Sequence, residues 1–106
     1  MKRKAFLIQS KPGLSEEYKK RHNPIWPELK QELKKHGVCN YSIFLHENSE
    51  SLFGYFEVED EALFEKLGES EVMQQWWGYM TEVLVCESDQ SLKAKEEMLS
   101  EVFHLD

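Results

Sequence analysis

The sequence predicts an α+β fold with its elements in the order β-α-β-β-α-β, and three observations carry that expectation. Three segments dense in β-branched and aromatic residues, "KAFLIQ", "NYSIFLHE" and "LFGYFEVE", have the composition of strands. Two stretches with apolar residues at helical spacing, one after "KPG" and one containing "WWGYM", have the periodicity of helices. A last apolar segment, "EVFHL", supplies a fourth strand. This order is the split βαβ unit of ferredoxin-like folds, a four-stranded antiparallel sheet with its helices on one face. At 106 residues the chain is expected to form a single domain, 1–106, with a core that needs no disulfide or metal to hold it.

The first strand, residues 4–9, is apolar on both alternating faces, Phe6 and Ile8 against Ala5 and Leu7. "KPG" then turns the chain. Ser15 followed by Glu16 and Glu17 is a helix start, with the hydroxyl capping free N–H groups and the acids complementing the positive end of the dipole. Leu14, Tyr18, His22, Ile25, Leu29 and Leu33 then fall on one stripe, and Gly37 fits the position just past the helix end. Pro24 and Pro27 interrupt that stripe. A proline removes an N–H donor and forces its predecessor out of helical dihedrals, so a bend is expected beside His22: either some carbonyls of residues 20–23 lose their intrahelical partners, or Pro24 starts a second helical segment, where it costs little.

The polar "NSES" suits the loop of a hairpin between the second and third strands. Asp60 is placed to cap a short helix over "EALFEKLG" that stops at Gly68. Ser70 and Glu71 restart helix over "VMQQWWGYMTEVL". Residues 86–98 are polar and predict a loop with a helical turn near "AKEEML", before the closing strand "EVFHL".

By alternation the second strand offers Tyr41, Ile43 and Leu45 to one side and Phe44 to the other. The third sets Leu52, Phe56 and Val58 against Phe53 and Tyr55. Helices cover only one sheet face, and an apolar sheet face of this size does not stay in water. A homodimer packed sheet against sheet, a dimeric α+β barrel, is the expected remedy.

Composition excludes several function classes. Thirteen basic against twenty acidic residues give a formal net charge of −7, and no basic stripe is available for a phosphate backbone or an anionic membrane. No apolar run approaches the length of a membrane span, and the first residues carry no signal-peptide pattern. Cys39 and Cys86 stand in no zinc or redox spacing, so both are expected as reduced thiols in the cytoplasm. His36, His46 and His104 are scattered, and no metal, nucleotide or acyl-enzyme motif is present.

Two features remain. Tyr18 and His22 stand one helical turn apart, near enough to share a ligand, and His22 titrates close to neutrality as a proton-transfer group should. Packing alone would also account for a histidine on an apolar stripe. Trp76 and Trp77 are neighbours on a helix and point about 100° apart. They form either a broad core stripe or a wall of indole for a flat, weakly polar ligand such as a sugar. Tyr41 adds a phenol nearby in the second strand. These residues define an aromatic pocket with one titratable histidine but not its substrate.

"RHNPIWPEL", "NYSIFL", "QWWGYMTEV" and "EVF" resemble the L-rhamnose mutarotase family in order and spacing, from "KAF" to the last strand. The resemblance implies a cofactor-free, homodimeric isomerase that interconverts the α and β anomers of L-rhamnose. It implies His22 as the catalytic proton donor, with Tyr18, Tyr41, Trp76 and Trp77 contacting the sugar. Two other functions fit the same residues: a cofactor-free monooxygenase of dimeric-barrel shape, and a non-enzymatic ligand-binding dimer.

Overall fold

Strands β1 (Lys2–Gln9), β2 (Val38–His46), β3 (Ser51–Val58) and β4 (Glu97–Leu99) form one sheet in the computed structural model, which describes residues 1–106. Their order is β2-β3-β1-β4 and every pairing is antiparallel. The helices are α1 (Ser15–Arg21), α2 (Pro27–Lys35), α3 (Glu61–Glu65) and α4 (Glu71–Met80), with a 3₁₀ turn, Lys66–Glu69, joining the last two. The predicted ferredoxin-like βαββαβ order is present, its helical halves each broken in two.

The stripe from Leu14 to Leu33 is not one bent helix. Helix α1 stops at Arg21 and α2 begins at Pro27, with Trp26 in an extended conformation before it. Pro27 occupies the first helical position, where its missing N–H costs nothing, while Pro24 lies in the connection. Ser15 is not the cap expected of it: Leu14 holds that position and no side chain caps α1. Asp60 and Ser70 do cap, accepting from the N–H groups of Leu63 and Met73, each at 3.2 Å. Gly37 follows α2 with φ +80°, a conformation that favours glycine.

The C-terminal third departs from the sequence expectation. Helix α4 ends at Met80 rather than running through Leu84, which instead bridges to Ser10. The last strand is Glu97–Leu99, not "EVFHL", and no helical turn forms near "AKEEML". The Lys95 N–H is bonded to the Val85 carbonyl at 3.0 Å, which brings the chain to β1 early, so that Glu97 lies opposite Leu7 and Leu99 opposite Ala5. Val102, Phe103 and Leu105 project beyond the sheet, 94%, 77% and 79% exposed.

Both sheet faces follow the predicted alternation. Phe6, Ile8, Leu52, Phe56 and Val58 are buried with Tyr18, Leu29, Met73 and Trp76 from the helices. Phe44 pairs with Phe53 on the opposite face, 67% and 44% exposed. One irregularity serves the inner face. Cys39 pairs with Glu57 and Ser42 with Tyr55, so β2 carries one residue more than β3 over this stretch. Asn40 takes it up at φ +48° and donates its side-chain N–H to Glu57 Oε1 at 2.8 Å. The extra residue lets Val38, an even position, and Tyr41, Ile43 and Leu45, odd positions, all face the helices.

Gly54 faces inward between Phe6 and Ile43, its partners on either side. The Phe6 ring lies across it and reaches the rings of Tyr41 and Phe56, at 6.1 and 6.2 Å between centroids. A Cβ at residue 54 would strike the Phe6 ring, so the missing side chain is the space that ring occupies. Gly54→Ala is therefore expected to destabilise the fold by about 1–3 kcal/mol, as overpacking does. Urea unfolding should show a lower midpoint at unchanged slope; an unchanged midpoint would mean the ring has another place to go.

Candidate functional site

The break between α1 and α2 opens a cleft of about 580 Å³ against the inner face of β2. Edge strand β2 is incompletely covered there, and Tyr41 is 42% exposed. Tyr18, His22, Tyr41 and Trp76 all line the cleft, with Ile25, Leu29, Ile43 and Leu45 forming apolar wall. Ser15, Glu16, Lys19, Asn23 and Glu47 add polar groups. Trp77 does not line it. It borders an adjoining cavity of about 70 Å³ that shares Tyr18, His22, Tyr41 and Trp76 with the cleft, and Lys93 Nζ lies 4.3 Å from its ring centroid. Four of the five expected site residues thus meet at one cleft, and the fifth lines the cavity that adjoins it.

The histidine owes its setting to the helix break. In a continuing helix the His22 N–H would bond to the Tyr18 carbonyl; here it turns to Lys19 O at 3.1 Å. The released Tyr18 carbonyl is taken by the His22 ring, with Nδ1 at 2.9 Å. Lys19 O also accepts from the Asn23 side chain at 2.9 Å, and Lys20 O from the Asn23 N–H at 3.1 Å. Of the carbonyls expected to lose their partners, those of residues 20–23, that of Lys20 is engaged by the Asn23 N–H, and the carbonyl that orients the imidazole, Tyr18, lies one turn earlier than expected.

A carbonyl only accepts, so Nδ1 carries the proton and the neutral ring keeps its lone pair on Nε2. Burial lowers the His22 pKa below its ordinary value, and the bond to the Tyr18 carbonyl opposes this only in part. Neutral imidazole is the resting form at pH 7. The two phenols move the other way. Burial raises the pKa of Tyr18. Burial also raises that of Tyr41, followed by the neighbouring Tyr18 hydroxyl and Glu96. Both hydroxyls stay protonated, as hydrogen-bond donors and acceptors.

Aromatic contacts fix the ring planes. His22 lies 4.5 Å from the Tyr18 ring and stands edge-on to Trp76 at 5.1 Å and 88°. Trp26 stands edge-on to Trp76 at 5.0 Å and stacks on Tyr79 at 5.3 Å. Trp26 was not singled out by sequence reasoning, although a tryptophan close to prolines on both sides, Pro24 and Pro27, has its backbone restricted from each. His36 and His46 bond locally, to the Glu32 carbonyl and to Ser49, and His104 pairs with Asp106. No three His, Cys, Asp or Glu side chains stand close enough to hold a metal ion.

Fold and cleft define a ferredoxin-like domain with a half-buried, neutral histidine walled by phenol and indole, suited to proton transfer on a small ligand. The particular family follows from comparison. The family model for L-rhamnose mutarotase matches residues 3–105. The L-rhamnose mutarotase of Oceanobacillus iheyensis is 49% identical over 106 residues, all of both chains. A crystal structure of L-rhamnose mutarotase from Formosa agariphila superposes with a TM-score of 0.87 at 33% identity, covering both chains completely. A dimeric ferredoxin-like protein from an uncultured marine organism shares the fold at TM-score 0.61 and 13% identity, covering 98% of this chain and 95% of its own. The chain belongs to the L-rhamnose mutarotase family.

Proposed function

We propose that this cleft interconverts the α and β anomers of L-rhamnose and that His22 carries the proton. The supporting observation is the Nδ1 bond to the Tyr18 carbonyl, which leaves Nε2 of a neutral ring free to accept. Nε2 takes the proton of the anomeric hydroxyl. As the O1–H electron pair becomes the second C1–O1 bond, the C1–O5 pair passes to the ring oxygen, which receives the proton back from Nε2. Both oxygens are bonded to C1, so one nitrogen reaches each. Rotation about C1–C2 presents the other carbonyl face, and the same steps in reverse close the ring. His22 is thus acceptor first and donor to the ring oxygen second, and no proton or electron is gained or lost overall.

In the same scheme Tyr18 and Tyr41, held protonated, donate hydrogen bonds to sugar oxygens. Trp76 offers its ring to the C–H face of the pyranose, and Trp77 backs the wall. No cofactor is needed, since general acid–base help is worth about 10²–10⁴-fold and ring opening already proceeds in water. Residues 1–106 act as one domain in the cytoplasm, in keeping with two unpaired thiols, Cys39 and Cys86. Two copies pack through the outer sheet face around Phe44 and Phe53; sedimentation as a single 12.6 kDa chain would contradict this. Family membership places isomerase activity ahead of an oxygenase or a binding dimer.

Saturation-transfer NMR on equilibrated L-rhamnose tests the activity. Catalytic amounts of protein should produce exchange between the two anomeric proton signals that persists with chelator. His22→Ala should lose about 10²–10⁴-fold of that rate while remaining folded. Oxygen uptake, or binding of the sugar without exchange, would replace the mutarotase assignment.

A further inference from the structure

We propose that Arg21 is a positioning residue for His22, acting through its clamp on the end of α4 and the chain of aromatic contacts Tyr79–Trp26–Trp76. The proposal deepens the proton-transfer role given to His22 and rests on it for its kinetic part.

Arg21 is the last residue of α1, and its side chain is only 13% exposed. Nε donates to Glu17 Oε2 at 2.8 Å within its own helix. The other contacts cross to the end of α4. Nη1 donates to the Tyr79 carbonyl at 2.7 Å, Nη2 meets Glu82 Oε1 at 3.0 Å, and the guanidinium carbon lies 4.0 Å from the Tyr79 ring centroid. That carbonyl is one of the orphan acceptors at a helix C-terminus and otherwise receives only a 3.4 Å bond from the Glu82 N–H. A planar, always charged fork suits it better than an ammonium, since it bonds the carbonyl while stacking on the ring.

The contacts then return to the neighbouring residue. Tyr79 meets both Arg21 and Trp26, Trp26 abuts Trp76, and Trp76 abuts His22. Arg21 and His22 are therefore the two ends of a closed ring of contacts around the connection between α1 and α2. Asn23, Pro24 and Ile25 run through that connection outside regular helix. The ring of contacts compensates, fixing one end of the segment to α4 by the guanidinium and the other by Trp26. The carboxylates that meet Arg21 are substantially exposed, 43% for Glu17 and 63% for Glu82, so their ion pairs contribute little by themselves. What the clamp supplies is geometry.

Three properties of Arg21→Gln decide the matter: His22 ring titration by NMR, the kcat and KM of anomer exchange, and thermal stability. The charged and titratable groups that share the two cavities with His22 are Glu16, Tyr18 and Lys19 of α1, Tyr41 of β2, Glu47 of the turn after it, and Lys93 and Glu96 of the segment before β4. None is altered by the substitution. With the clamp gone, the ring gains water and its titration should rise toward 6.5, the value of an exposed histidine. Misplacement of the proton carrier should lower kcat by about tenfold or more with KM within about twofold. Arg21→Lys, which keeps charge but not the stacked fork, should recover only part of each effect. An unchanged His22 titration, with activity lost only in proportion to unfolded protein, would overturn the proposal. If Arg21→Gln does not fold, Trp26→Phe interrupts the same ring, and the same upward shift is required of it. Wild-type protein without exchange would instead remove the mutarotase assignment, leaving the titration to judge the clamp.

Discussion

A single hydrogen bond, from His22 Nδ1 to the Tyr18 carbonyl, sets the orientation and tautomer of the histidine in this cleft. It exists because α1 stops where it does. A carbonyl inside a continuous helix spends its strong lone pair on an N–H four residues on; ending the helix after Arg21 frees it for a side chain. The prolines therefore do two things with one break. They open the space between α1 and α2 that becomes the cleft, and they release the acceptor that sets the tautomer of the histidine facing it. Burial then keeps the ring neutral, so geometry and electrostatics favour the same protonation state.

The sheet supplies the opposite wall by equally local means. One extra residue at Asn40 turns Tyr41 and Val38 to the same face, and one absent side chain at Gly54 lets Phe6 cross the sheet to support Tyr41. Tyr41 also stacks on Phe56 at 5.2 Å, so the phenol is held by the core while its ring borders the cleft. The cleft is thus formed from core residues exposed by a gap rather than from a mobile loop. Such placement limits how far its groups can wander, as proton transfer over a hydrogen-bond distance requires.

Much of this was legible in the sequence. The one-turn spacing of Tyr18 and His22, the prolines beside them, and the capping residues Asp60 and Ser70 each state a local physical requirement, and each appears in the structure. What escaped depends on distant partners. Period alone could not show that the stripe from Leu14 to Leu33 belongs to two helices. It also could not show that of the two adjacent indoles Trp76 lines the cleft, while Trp77 borders the adjoining cavity with Lys93 over its ring. The last strand was misplaced because Val102, Phe103 and Leu105 look more strand-like than Glu97–Leu99. Edge pairing is made by backbone groups, and the Lys95–Val85 bond brings "EML" to β1 whatever its side chains.

The central claim is that neutral His22 accepts the first proton, and the pH dependence of anomer exchange tests it most directly. The enzyme-catalysed rate, corrected for exchange in buffer alone, should hold level through neutrality. It should fall as pH drops below 6.5 on a single ionisation that coincides with the NMR titration of His22, because protonation fills the lone pair on Nε2. A rate that climbs as the pH falls through that ionisation would mean that the imidazolium is the working form, and the tautomer set by the Tyr18 carbonyl would not be the basis of catalysis.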